Sequence, residues 1–167
     1  MTSKWKDDRE YLEDVADLMG NQQVQSLKNY VHHHYTNRLD HSIGVSYRSY
    51  RLAKWLGLDA KATARAGLLH DLFFYDSKDK KTVGGRGHNY EHPRIALKNA
   101  LAITQLSPKE QDIIVKHMFG ATLALPAYPE SYIVTLMDKY SSIRELLTGM
   151  KEKVKHRAPF KYFVSVR

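Results

Sequence analysis

The segment Ala66-Gly67-Leu68-Leu69-His70-Asp71-Leu72-Phe73-Phe74 places an imidazole and a carboxylate in an otherwise apolar helical pattern. A helix that is apolar nearly all round is predicted to lie at the centre of the molecule. An ionised carboxylate buried without compensation is costly, so Asp71 requires a cation, strong hydrogen-bond donors or a raised pKa. Because His and Asp at a helix–helix junction can reach one ion, this pair is a candidate half of a metal site.

Helical patterns extend on both sides of this segment. Asp59 can cap the central helix, and Ser107-Pro108-Lys109-Glu110 reads as a capping box with Pro at the first helical position. No segment is a convincing strand, although residues 160–166 alternate weakly. We predict an all-α fold, a single-domain helical bundle of about seven helices with two long loops. The predicted helices span about residues 7–19, 22–33, 39–56, 59–73, 93–104, 107–118 and 130–147.

The composition is that of one compact domain and not of a disordered or disulfide-stapled chain. The chain has 167 residues, 43% of them hydrophobic, a net charge of +8 and no Cys, which excludes thiolate metal sites and a catalytic thiol. No apolar stretch is long enough to cross a bilayer, so we expect a cytoplasmic protein without a membrane partner. Residues 151–167 carry six basic side chains against Glu152 alone, and we divide the chain into a domain over 1–150 and a basic tail over 151–167.

Three further polar residues interrupt apolar helical patterns. Asp138 lies on the apolar stripe of the last helix, His117 ends the sixth helix, and His41 lies in the first turn of the third. A single buried His is more often a hydrogen-bonded core residue than a metal ligand. Several such residues on different helices favour a metal site, because side chains from facing helices converge in a bundle core. His and Asp suit one or two divalent ions of Fe, Mn, Ni or Zn.

The order of these residues resembles the HD superfamily of metal-dependent phosphohydrolases. His41, His70-Asp71 and Asp138 each lie on a separate helix, and the lead-in Arg38-Leu39-Asp40-His41-Ser42-Ile43-Gly44 is similar to the family's usual context. The resemblance covers about residues 38–145 and implies that residues 1–150 form an HD-like metal-binding domain. Phe74 stands where some dinuclear members have Lys, which argues against the cyclic-dinucleotide phosphodiesterase branch.

Members of that superfamily with two metals have two additional His residues, and His92-Pro93 and His117-Met118 match their positions. The resemblance implies that Asp71 bridges the two ions and is a catalytic residue. It further implies that one ion is held by His41, His70, Asp71 and Asp138, and the second by Asp71, His92 and His117.

Cationic side chains near these positions are candidates for phosphate binding. Arg38 precedes His41 by three residues and is the leading phosphate clamp, with a surface salt bridge to Asp40 or a neighbouring residue as the alternative. In the loop before the fifth helix, Arg86 is a candidate phosphate ligand and His88 a candidate acid for the leaving group, although a solvated connection explains the loop equally well. Lys139 is a further candidate for orienting substrate.

The triplet His32-His33-His34 invites a metal interpretation that helical geometry does not favour. Consecutive residues on a helix point in directions about 100° apart, so the three cannot converge on one ion. We therefore predict that the triplet is polar surface at a helix end.

These features predict a hydrolase that cleaves a phosphoester or phosphoanhydride of a nucleotide or a similar small phosphorylated metabolite by metal-activated water. One alternative is a di-iron oxygenase built on the same ligands. The other is a non-catalytic module whose basic tail, with Phe160, Tyr162 and Phe163, binds RNA. Nucleic acid is not the expected partner because no known nucleic-acid motif is present. The oligomeric state stays open.

Overall fold

The computed structural model describes residues 3–32, 36–76 and 85–157, with residues 151–157 described only as helical backbone. Helices dominate this part of the chain, as predicted. Two short 3-10 helices span Ser3–Asp7 and Leu27–Asn29, and the strands are β1 (Val31–His32) and β2 (Thr36–Asn37). The α-helices are α1 (Arg9–Asp14), α2 (Ala16–Met19), α3 (Gln22–Ser26), α4 (Arg38–Trp55), α5 (Ala60–Leu69), α6 (His88–Ile103), α7 (Pro108–Lys116) and α8 (Pro129–Arg157).

Helices α4 and α5 form the centre of the bundle. The predicted caps are present, because the Asp59 side chain accepts from the amide of Ala62 and Ser107 forms a complete capping box with Glu110. Most of α5 is buried, which confirms the prediction from its apolar surface. The two helices approach closely where Gly67 faces Ser46, since a Cβ built on Gly67 would lie 3.0 Å from the Ser46 Cα.

Helix α5 ends at Leu69, four residues before the predicted end. The carbonyls that follow are hydrogen-bonded to other parts of the fold. Asn99 donates to the carbonyl of Leu72 at 2.8 Å, and Arg38 donates to the carbonyls of Phe73 and Tyr75. His70 and Asp71 therefore lie just after the helix, where helical geometry no longer dictates their spacing.

The predicted helix over residues 22–33 is wrong for the second half of that segment, and the prediction that the chain has no strand is also wrong. Helix α3 ends at Ser26, and β1 pairs with β2 in an antiparallel register that places His32 opposite Thr36. The amide of Arg38 donates to the carbonyl of Tyr30 at 2.8 Å, so the paired strands lead directly into α4. The extended backbone carries His32 toward the N-terminal end of that helix.

Two further helix boundaries differ from the prediction. Helix α6 begins at His88, five residues before Pro93, because Gly87 adopts a φ of 84° that turns the chain at its N-terminus. Helix α8 continues to Arg157 and so includes the first seven residues of the predicted tail. Residues 160–166, and with them the aromatic residues of the RNA-binding alternative, lie outside the described part of the chain.

No helix in the described ranges is long and apolar enough to cross a membrane.

We predict that Gly67→Ala destabilises the protein by about 1–3 kcal/mol, because the new methyl group meets backbone atoms of α4 that cannot move independently. Urea unfolding measures this change. Gly20→Ala is the matched control, since Gly20 has ordinary right-handed helical angles and room for a Cβ. Equal stability of the wild type and Gly67→Ala would contradict the close approach of α4 and α5.

Candidate metal centre

The fold brings all six predicted metal ligands to one buried site. They come from three helices and from the ends of two others, so the site is approached from five elements of the fold. His41 lies in the first turn of α4, His70 and Asp71 follow α5, His92 lies on α6, His117 follows α7 and Asp138 lies on α8.

One group of ligands lies where α4, α5 and α8 meet. The Oδ1 atom of Asp138 is 3.0 Å from Nε2 of His41 and 3.7 Å from Nε2 of His70. These three side chains are close enough to share one cation. We call this group the first position.

A second group lies where α6 and α7 meet the end of α5. Oδ1 of Asp71 is 3.4 Å from Nε2 of His92 and 3.7 Å from Nε2 of His117, and those two nitrogens are 2.9 Å apart. The other oxygen of Asp71, Oδ2, lies 3.8 Å from Nε2 of His70. Asp71 therefore faces both groups, one with each carboxylate oxygen. We call His92, His117 and Asp71 the second position.

Hydrogen bonds at Nδ1 orient all four imidazoles in the same way. Nδ1 of His70, His92 and His117 lies 2.7–2.8 Å from the carbonyl oxygens of Gly67, His88 and Ile114 respectively, and Nδ1 of His41 lies 3.0 Å from Glu145. Since a carbonyl oxygen can only accept, Nδ1 carries the proton in His70, His92 and His117, and Nε2 presents a lone pair to the site. His41 differs, because each of its ring nitrogens faces a carboxylate oxygen.

This arrangement fits a divalent metal. The Nε2 atoms of His92 and His117 are 2.9 Å apart, and their lone pairs would repel each other unless both atoms bind a cation. Nε2 of His70 is buried and has no hydrogen-bond partner among the described residues. Once His41 gives up its Nε2 proton to a metal, four imidazoles and two carboxylates form a donor set that suits Fe, Mn, Ni or Zn.

The electrostatics of the site favour positive charge at its centre. Burial raises the pKa of Asp71 and Asp138, but the surrounding imidazoles outweigh burial and hold both pKa values well below their usual range. Burial lowers the pKa of His41, yet hydrogen bonds to Asp138 and Glu145 raise it to about 10. Burial lowers the pKa of His117 to about 3. Both carboxylates are therefore ionised at neutral pH and available to a metal.

A cavity of about 580 Å³ opens onto the ligands. Arg38 lines it but is buried, and its guanidinium donates to the carbonyls of Phe73 and Tyr75 and stacks 3.6 Å over the Phe73 ring. The alternative of a surface salt bridge with Asp40 is wrong, because Arg38 turns into the core while Asp40 hydrogen-bonds to Asn37. Any phosphate contact by Arg38 must share a guanidinium that already holds the segment after Asp71.

Of the other predicted substrate residues, Lys139 and His88 line the cavity and Arg86 does not. Lys139 lines it and donates to the carbonyl of Phe119 at 2.7 Å. His88 also lines it, with Nδ1 3.1 Å from the Tyr75 hydroxyl, and burial lowers its pKa to about 4. That pKa leaves His88 neutral at pH 7, which does not favour its predicted role as an acid. Arg86 contacts Tyr90 and is not among the lining residues, so the structure does not bring it to the site.

Two residues that the sequence analysis did not place at the site lie within it. The prediction that His32 is helix-end surface is wrong, because β1 directs its ring against His41 with a centroid distance of 3.7 Å. Residues 33–35 lie outside the described part of the chain. Glu145 was missed, although it follows Asp138 by seven residues and a seven-residue spacing places two side chains on one helix face.

We predict that the chain binds divalent transition metals and that Asp71→Asn loses most of the bound metal, because Asp71 faces both positions. Metal analysis of protein purified in the presence of Mn²⁺ or Ni²⁺ measures this loss. Asp7→Asn, an exposed substitution on the N-terminal 3-10 helix, is expected to keep wild-type metal content. Equal metal content in both variants would contradict the site.

Comparison with known proteins agrees with this geometry. The family model described as HD domain matches residues 38–143, which include all six ligands. No curated protein and no solved structure shows significant similarity to the chain. The matched range is well over half of the chain and coincides with the helices that carry the site, so the protein belongs to the HD domain family.

Proposed function

We propose that the protein is a metal-dependent phosphohydrolase acting on a nucleotide or a similar small phosphorylated metabolite. The HD domain family consists mostly of metal-dependent hydrolases and binds divalent metals. The observation that carries the proposal is the placement of Asp71, with one oxygen toward each of two groups of imidazoles at the base of an open cavity.

When bound, divalent metals lower the pKa of water toward neutrality and polarise a phosphoryl oxygen. The residues of the chain prepare the site for this chemistry. The carbonyl partners at Nδ1 hold the imidazoles in one tautomer, and the surrounding helices exclude bulk water from His41, His70 and His117. The cationic ammonium group of Lys139 is close enough to the cavity to attract an anionic substrate.

The size and lining of the cavity support a nucleotide as the substrate. Its volume lies within the usual range of small-molecule sites, about 300–1,000 Å³. Phe73, Met118 and Ile143 offer apolar contacts to a base or another flat group, while Asn89 and Ser142 offer hydrogen bonds. A small phosphorylated metabolite without a base would use the polar part of the same lining.

Loss of Asp71 tests the reaction. We expect the wild-type chain, supplied with Mn²⁺, Ni²⁺, Fe²⁺ or Zn²⁺, to release phosphate or a nucleoside monophosphate from at least one member of a nucleotide and sugar-phosphate panel. Asp71→Ala should lower this activity at least about 100-fold, since removing an essential catalytic group costs orders of magnitude in rate. Asp7→Asn should leave it unchanged.

Activity that survives Asp71→Ala would refute the hydrolase assignment. Oxygen consumption by the iron-loaded protein without phosphate release would instead assign the site to the di-iron oxygenase alternative.

The role of Lys139 is tested separately. We predict that Lys139→Ala raises KM for the best substrate about 10-fold with a smaller effect on kcat, because an exposed cation contributes mainly to binding. Steady-state kinetics at two salt concentrations measure the change. Lys98→Ala, on the exposed surface of α6, is the control that should leave both constants unchanged. An unchanged KM in Lys139→Ala would remove Lys139 from the substrate site.

A further inference from the structure

One imidazole of the metal centre has a different partner from the other three. His41 directs Nδ1 to both oxygens of Glu145, at 3.0 and 3.2 Å, whereas the other three imidazoles direct Nδ1 to backbone carbonyls. An ionised carboxylate is a stronger acceptor than a neutral carbonyl. His41 is therefore the most strongly polarised of the four imidazoles.

Glu145 is itself held in place by residues of the paired strands β1 and β2. Its side chain is only 5% exposed, and Oε2 accepts from the Thr36 hydroxyl at 3.0 Å. The Nε2 atom of His32 lies 4.0 Å from the same oxygen, and the His32 ring stacks on His41. The paired strands, α4 and α8 thus meet at one buried carboxylate directly behind a metal ligand.

These residues lie outside the part of the chain that the HD domain model matches. His32 and Thr36 precede residue 38, and Glu145 follows residue 143. The support behind His41 is therefore supplied by the flanking segments of this chain, whereas the other imidazoles are supported by carbonyls within the matched range.

The two metal positions also differ in carboxylate charge. The first position contains Asp138, with Glu145 directly behind His41 and the Oδ2 atom of Asp71 near His70. The second position combines two imidazoles with Asp71 alone. More carboxylate charge and a polarised imidazole both strengthen the binding of a divalent cation.

We propose that Glu145 is a positioning residue that makes the first position the tighter of two metal positions and leaves the second as the more readily exchanged one. This inference rests on the metal binding in the proposed function and is independent of the reaction. Loss of such an outer partner typically costs 10–100-fold in metal affinity.

Stepwise titration of the metal-free full-length chain with Mn²⁺ or Ni²⁺ tests the proposal. We expect the wild type to bind in two steps with clearly different affinities. Glu145→Gln should weaken the tighter step about 10–100-fold and leave the weaker step unchanged, because an amide is a neutral acceptor. His92→Ala should remove only the weaker step, which assigns the steps to the positions.

Two further variants separate positioning from stability. Glu130→Gln is the matched control on the same helix. Its carboxylate is as buried as that of Glu145 but accepts from Lys109 and from the amide of Asp59, away from the site, so both binding steps should keep their wild-type affinities. Thr36→Val removes only the hydroxyl that holds Glu145 and should weaken the tighter step by a smaller factor. It keeps the test informative if Glu145→Gln does not fold.

The outcomes distinguish this inference from the proposed reaction. The inference would be overturned if the wild type binds metal in a single step or not at all. It would also be overturned if Glu145→Gln weakens both steps equally, or if His92→Ala loses the tighter step. Two steps with the expected dependence on Glu145, together with no phosphate release from any substrate, would support the inference and refute the hydrolase. Phosphate release by the wild type, together with wild-type titration curves in Glu145→Gln and Thr36→Val, would support the hydrolase and refute the inference.

Discussion

Two carboxylates surrounded by imidazoles constrain the whole molecule. Asp71 is buried and the Asp138 side chain is 14% exposed, and both lie among His side chains of a helical bundle, where an unpaired charge would be strongly destabilising. A cation held by the Nε2 atoms, or a proton on Nε2 as in His41, offsets that cost, and both require the Nε2 atoms to face inward. The surrounding structure must therefore fix ring orientation as well as position, which explains why every Nδ1 at the centre has an acceptor.

The packing of α4 against α5 determines where Asp71 lies. Gly67 lets the helix axes approach so closely that the Ser46 hydroxyl reaches the carbonyl of Ala64 at 2.7 Å. Arg38, at the start of α4, then holds the chain that leaves α5 after Asp71. A residue expected to bind phosphate thus also shapes the turn on which the carboxylate lies. The guanidinium of Arg38 that holds this turn is the same group that would contact a substrate.

The six candidate ligands and the side chains behind His41 come from different parts of the chain. The ligands lie within the matched range, whereas His32, Thr36 and Glu145 come from residues on either side of it. Such flanking support changes the strength of a metal site without changing its ligands. The cavity differs in this respect, because all of its lining residues except His32 lie within the matched range.

The sequence alone determined the helical class, the caps at Asp59 and Ser107, the family resemblance and the identity of the six candidate ligands. The helices and caps follow from local signals, and a charged group in an apolar helix must be compensated. His92 was added to the ligand set only by the family resemblance. Tertiary structure decided that α5 ends before His70, that His32 lies on a strand beside His41, and that Glu145 supports that ring. Those outcomes depend on hydrogen bonds between residues as far as 109 positions apart, which no local pattern can encode.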